Sequence, residues 1–168
     1  SREITIASFF LLSVTTGAGL VFLLYLMRDV RRFLRGLKVQ REQNKRSKIQ
    51  ELYTKGLNAL LANRGHEAIT YFDRVLNLDP NHVDTLLRMG ITQLRQKNVQ
   101  EAIRLHLKAW NLESNNQEVM FSLSADYEDA KRFDEAEPLY RRVLSSRPRD
   151  GRALTGLGLL LVATGRME

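Results

Sequence analysis

Cysteine is absent from the 168 residues. That excludes disulfides, thiolate metal sites and cysteine nucleophiles, and it leaves the redox compartment open. Histidine occurs three times, at His66, His82 and His106, with no thiol and no carboxylate at metal-ligand spacing. No Gly-rich phosphate loop follows a strand pattern, and no Ser-His-Asp constellation can be assembled. Catalytic, cofactor-binding and metal residues are therefore none by expectation, and the chain does not read as an enzyme. The carboxylates Asp126, Glu128 and Asp129 read as a solvated or partner-facing patch.

Charge is missing altogether between Ile4 and Met27 and crowded immediately afterwards. Residues 28–48 carry nine basic side chains against Asp29 and Glu42, an excess of seven that equals the formal charge of the whole chain. From residue 49 onward sixteen basic side chains meet sixteen acidic ones. A nucleic-acid partner is not expected, because the larger part of the chain has no basic footprint.

The uncharged run over 4–27 is rich in Phe, Leu, Val and Ile, and a helix of roughly 20 apolar residues crosses the hydrocarbon layer. A secretory signal would carry its positive charge before a shorter apolar core. The spacing predicts a retained transmembrane helix over 4–27. The basic cluster after Met27 puts the C-terminal part in the cytoplasm and Ser1 outside. Ser13 with Gly17, and Thr15 with Gly19, would permit close approach of another membrane helix. Residues 28–48 are expected to form a basic juxtamembrane helical linker on the lipid bilayer. There Arg28, Arg31, Arg32, Arg35 and Lys38 meet the anionic surface, and Val30, Phe33, Leu34 and Leu37 keep helical spacing.

The remainder repeats. Three blocks align at a period of 34 residues, over 49–82, 83–116 and 117–150. The eighth place is small in each (Gly56, Gly90, Ser124) and the twentieth is alanine (Ala68, Ala102, Ala136). The pattern predicts helical hairpins in which each small residue lies opposite its alanine. A bulky residue follows (Phe72, His106, Tyr140), then a core residue three places on (Val75, Ala109, Val143). Asp79-Pro80 and Arg147-Pro148 stop two of the second helices, because proline breaks the helical ladder and restricts its predecessor. Residues 151–168 match the first helix of a fourth repeat whose partner helix is not reached, and with the Ser1 start this suggests a piece of a longer protein.

Over residues 49–168 the chain resembles the tetratricopeptide repeat family, through Gly56-Leu57, His66-Glu67-Ala68-Ile69 and Asn77-Leu78-Asp79-Pro80-Asn81. It departs from the family pattern at Lys55, Gln93, Ser114 and Ser124. With the transmembrane helix read from the uncharged run, the resemblance implies an all-α fold in which that helix is followed by a right-handed superhelix of antiparallel helix hairpins. It also implies a protein-binding groove lined by Tyr53, Leu57, Leu60, Leu87, Ile91, Arg95, Phe121, Ala125, Glu128 and Asp129. Tyr53 and Leu57 stand where chaperone-tail binders place lysine and asparagine, which disfavours that ligand.

The anchor and spacer, from Ile4-Thr5-Ile6 through Arg28-Asp29-Val30-Arg31-Arg32-Phe33-Leu34-Arg35, resemble the second membrane helix and basic tail of the lipopolysaccharide assembly protein A family. Ala102-Ile103-Arg104-Leu105-His106 is similar to the repeats of the lipopolysaccharide assembly protein B family. Together these imply a cytoplasmic scaffold on the bacterial inner membrane, as a single span or the second span of a hairpin. Its expected role is that of an adaptor between a membrane AAA+ protease and a lipopolysaccharide biosynthetic enzyme, with no cofactor. A receptor for protein import or secretion, or the substrate-presenting part of a larger enzyme, is the alternative.

Overall fold

The computed structural model describes the backbone of residues 2–166 and the side chains of residues 25–166. Every element among them is helical: α1 (Arg2–Leu61), α2 (Gly65–Leu78), α3 (Val83–Arg95), α4 (Val99–Leu112), α5 (Gln117–Asp129), α6 (Phe133–Ser146) and α7 (Gly151–Ala163). The chain divides into two units, Ser1–Ser47 and Lys48–Glu168. The transmembrane helix expected over 4–27 falls mostly on side chains outside the described residues. Among the described residues no helix is long and apolar enough to cross a membrane.

In the second unit, α3 packs on α2 and α4, α5 on α4 and α6, and α7 on α6. The turns that reverse the chain inside each hairpin are tight and periodic. Asn63, Lys97, Lys131 and Gly165 all adopt positive φ, between 57° and 67°, and they are spaced by one repeat length. The left-handed residue lets the next amide reach back across the helix end, as in Arg64 N to Ala59 O at 2.8 Å and Asn98 N to Gln93 O at 2.9 Å. Three of the four are not glycine, so their L side chains carry a steric cost of about 1 kcal/mol.

The turns between hairpins use side-chain caps instead. His82 Nδ1 accepts from Thr85 N at 3.3 Å, Asn116 Oδ1 from Glu118 N at 3.1 Å and Asp150 Oδ1 from Ala153 N at 3.0 Å. Each accepts from an amide of the first helical turn, where the intrahelical ladder has not yet begun.

Packing explains the small eighth residues. A Cβ placed on Gly56 would lie within 3 Å of the Phe72 ring, and one on Gly90 within 3 Å of the His106 ring. The small residue therefore seats the bulky side chain sixteen places later. The Tyr140 ring is received by Gly156 of α7, where a Cβ would lie within 3 Å of it. The alanines Ala68, Ala102 and Ala136 are fully buried, as are Val75, Ala109 and Val143. Two apolar clusters result, one around Phe72, Leu86 and Leu105, the other around Leu123, Leu139 and Val143. Trp110 packs against both. α5 buries eight of its thirteen residues, because helices press on it from both sides.

Candidate protein-binding groove

The first helix of each hairpin presents the same places at one-repeat intervals, and these carry the expected groove. Tyr53, Leu57 and Leu60 lie on one face of α1 by their spacing of four and three residues. All three are partly buried against the core. The Tyr53 ring sits 6.0 Å from Phe72 and 5.4 Å from His82. On α3, Ile91 is half-buried and Arg95 exposed, while Leu87 is only 4 % exposed. On α5, Phe121 is 7 % exposed and Ala125 is open to solvent. Leu87 and Phe121 are thus chiefly core side chains, and the accessible apolar lining comes from the residues beside them.

The polar end of this lining is anchored. Tyr140 donates its hydroxyl to Glu128 Oε1. Burial first, then this carboxylate, pushes the Tyr140 phenol far above its ordinary range, so it stays a donor. Asp129 Oδ2 stands 3.7 Å from Lys97 Nζ. On α7, Arg152 lies 4.2 Å above the Phe121 ring and 3.1 Å from Glu118 Oε2. The period extends the face to residues missing from the expected lining: Leu94 on α3 and Thr155, Leu159 and Val162 on α7. Leu159 is 63 % exposed and Val162 53 %. Adding one repeat length to Leu60, Phe121, Ala125 and Glu128 would have found them.

Asp126 is where the expectation of a solvated or partner-facing acidic patch is corrected. Its side chain is fully buried, with Oδ2 2.5 Å from His106 Nδ1. His106 is equally buried, and its Nε2 donates to the carbonyl of Leu87 at 3.1 Å. That carbonyl can only accept, so the Nε2 proton is fixed and a second proton lies between Nδ1 and Oδ2. Asp126 Oδ1 has no partner, an arrangement that disfavours the ionised carboxylate. Burial raises the Asp126 pKa against the opposing pull of His106. The pair, with the bond from His106 to the Leu87 carbonyl, ties α3, α4 and α5 together inside the fold. His66 is exposed and His82 serves as a cap. Among the described residues no three His, Asp or Glu side chains converge on a metal position.

In the first unit, Arg28, Arg31, Arg32, Arg35 and Lys38 are all exposed. Val30, Phe33, Leu34 and Leu37 are between 43 % and 67 % exposed. At 100° per residue the apolar four gather on one side of the helix and the five cations on the other. Arg28 lies 4.6 Å above the Tyr25 ring.

Comparison with known proteins places the repeats. Two family models, each described as a tetratricopeptide repeat, match residues 59–126 and 123–168. No curated protein matches the chain. Among solved structures, the first such domain of Spaghetti (RPAP3), bound to the HSP90 peptide SRMEEVD, is 21 % identical with a TM-score of 0.66, over 71 % of this chain and 97 % of that one. The Arabidopsis OM64 domain is 17 % identical with a TM-score of 0.64, over 69 % and 96 %. MamA from Desulfovibrio magneticus is 23 % identical with a TM-score of 0.65, over 70 % and 66 %. At these identities the likeness is one of fold.

Proposed function

From the premise that this chain is a tetratricopeptide repeat protein, we propose that it is a membrane-tethered adaptor whose first-helix face holds a protein partner. The observation that carries this reading is the set of accessible apolar side chains that recur at the same two first-helix places: Leu57 and Leu60, then Ile91 and Leu94, then, past Ala125 and Glu128 of the third repeat, Leu159 and Val162. Stacked hairpins present such a surface over a length no single helix offers, and apolar patches of this kind are interaction sites. Two structural neighbours are bound to chaperone peptides, of HSP90 and of HSP70. The lysine and asparagine expected of a chaperone-tail site are replaced here by Tyr53 and Leu57, so the ligand is a more apolar segment.

The uncharged run over 4–27 followed by the cations of 28–48 supports a tether in the bacterial inner membrane with the repeats in the cytoplasm. The sequence likeness to the two lipopolysaccharide assembly families supports a role in envelope biogenesis, between a membrane AAA+ protease and a biosynthetic enzyme. Photocrosslinking from Tyr53 and Leu159 in cells, followed by mass spectrometry, tests both parts. Capture of a protease or a lipopolysaccharide enzyme is the expected result. Presequence-bearing proteins in their place would make the chain an import or secretion receptor, and no crosslink from either position would end the groove reading.

A further inference from the structure

The third hairpin carries a charged cleft that the apolar lining does not explain. The start of α5 and the end of α6 enclose about 800 Å³, lined among others by Asn115, Gln117, Phe121, Arg142, Ser146 and Arg147. A shallower hollow of Arg147, Pro148, Arg149 and Asp150 adjoins it, sharing Arg147.

Among the described residues, Arg142, Arg147 and Arg149 form no ion pair, whereas the acids beside them are engaged. Glu118 is held by Arg152 at 3.1 Å, and Asp150 caps α7 through its bond from Ala153 N. Arg142 is steadied without being neutralised: it donates to Asn115 Oδ1 at 3.1 Å and lies 5.8 Å above the Trp110 ring. The hydroxyls of Ser145 and Ser146 donate to carbonyls of their own helix. What the cleft offers a ligand is guanidinium and amide N–H.

The repeat itself does not require these arginines. One repeat earlier the places of Arg142, Arg147 and Arg149 hold Lys108, Glu113 and Asn115, and one earlier still Arg74, Asp79 and Asn81. Positive charge is retained at the first place throughout, but the second is acidic in both other repeats. The cluster is therefore particular to the third hairpin.

We propose that this cleft is an anion subsite that receives acidic side chains of the bound protein segment, next to the apolar lining. The inference rests on the groove reading for its ligand, and Phe121, which belongs to both the cleft and the first-helix face, joins the two. Arginine pairs with a carboxylate through two parallel N–H···O bonds, and an unpaired guanidinium beside an apolar ring suits a Glu or Asp flanked by apolar residues. A polyphosphate chain would need cations beyond the cleft, and the repeats as a whole carry equal numbers of both charges.

The test uses the full chain in nanodiscs of neutral lipid, titrated with fluorescein-labelled hexaglutamate and followed by anisotropy. Saturable, salt-sensitive binding is expected, and Arg147→Glu weakens it by roughly tenfold or more. That substitution installs the residue type the second repeat carries at the same place, so the fold tolerates it, and circular dichroism verifies this. Arg142→Gln gives a second, smaller loss. Equal binding of hexaglutamine, or hexaglutamate binding indifferent to both substitutions, overturns the proposal. Tighter binding of labelled hexathymidylate overturns it in favour of a phosphate site. Hexaglutamate binding with no crosslink from Tyr53 or Leu159 would sink the groove and leave the anion subsite standing. The reverse pattern would sink the subsite alone.

Discussion

Asp126 and His106 are twenty residues apart in sequence and 2.5 Å apart inside the fold. Neither residue type nor spacing announces the pair, because each belongs to a different repeat and the contact exists only once those repeats stack. The pair makes stability depend on pH, and the sign follows from Asp126. In the unfolded chain an aspartate titrates near 3.9, and in the native fold burial raises that value. The native state therefore holds a proton that the unfolded state has lost, across the window between the two. This contribution is fully present below about pH 4 and is lost as pH rises through the elevated native value. Asp126→Asn keeps a donor facing His106 Nδ1 and cannot ionise. Urea unfolding of the two proteins from pH 4 to pH 8 checks this. The wild type should lose stability relative to the variant as pH rises, whereas parallel curves would mean that folding leaves the Asp126 pKa unshifted.

At the scale of the helices, most of the architecture was legible, for a mechanical reason. A residue that must be small to seat its neighbour's ring cannot drift, so the 34-residue period is visible without any structure. What the period did not disclose was which neighbour is seated. The atoms nearest Gly56 and Gly90 are those of the Phe72 and His106 rings. Gly and Ala both occupy close-contact places, and a list of small residues does not say which pairs meet. The caps His82, Asn116 and Asp150 also recur at one-repeat spacing, and they went unread because the three residue types look unrelated until each is seen accepting from an amide. Two glycine substitutions separate packing from propensity. Gly90→Ala drives a methyl group into the His106 ring and strains its bonds to Leu87 and Asp126, at a cost of about 2 to 3 kcal/mol. Gly158→Ala meets nothing within 4 Å and should gain up to about 1 kcal/mol from helix propensity alone. Thermal melts of both variants decide the matter, and similar shifts in the two would contradict the seating geometry.

On the scale of the whole chain, charge separates two jobs that the residue count hides. The entire excess of seven positive charges lies in 28–48, and the repeats beyond it are balanced. A solvated binding surface gains nothing from a distant cationic stretch, but an apolar run gains an orientation from one, because Lys and Arg are retained on the cytoplasmic side of short membrane flanks. The groove and the cleft would then both face the cytoplasm, and the cations would set that arrangement without touching a ligand. The absence of cysteine makes this measurable, since a single thiol introduced at the exposed Leu61 is the only reactive one in the chain. In intact cells Leu61→Cys should resist a membrane-impermeant maleimide and label only after permeabilisation. Replacing Arg28, Arg31, Arg32, Arg35 and Lys38 together by glutamine removes five of the nine cations, and a fraction of the chains should then insert inverted and label from outside. Labelling of the otherwise native chain in intact cells would place the repeats on the other side of the membrane and remove the cytoplasmic adaptor role. Labelling that stays blocked in the five-fold variant would show that something other than this cluster holds the orientation.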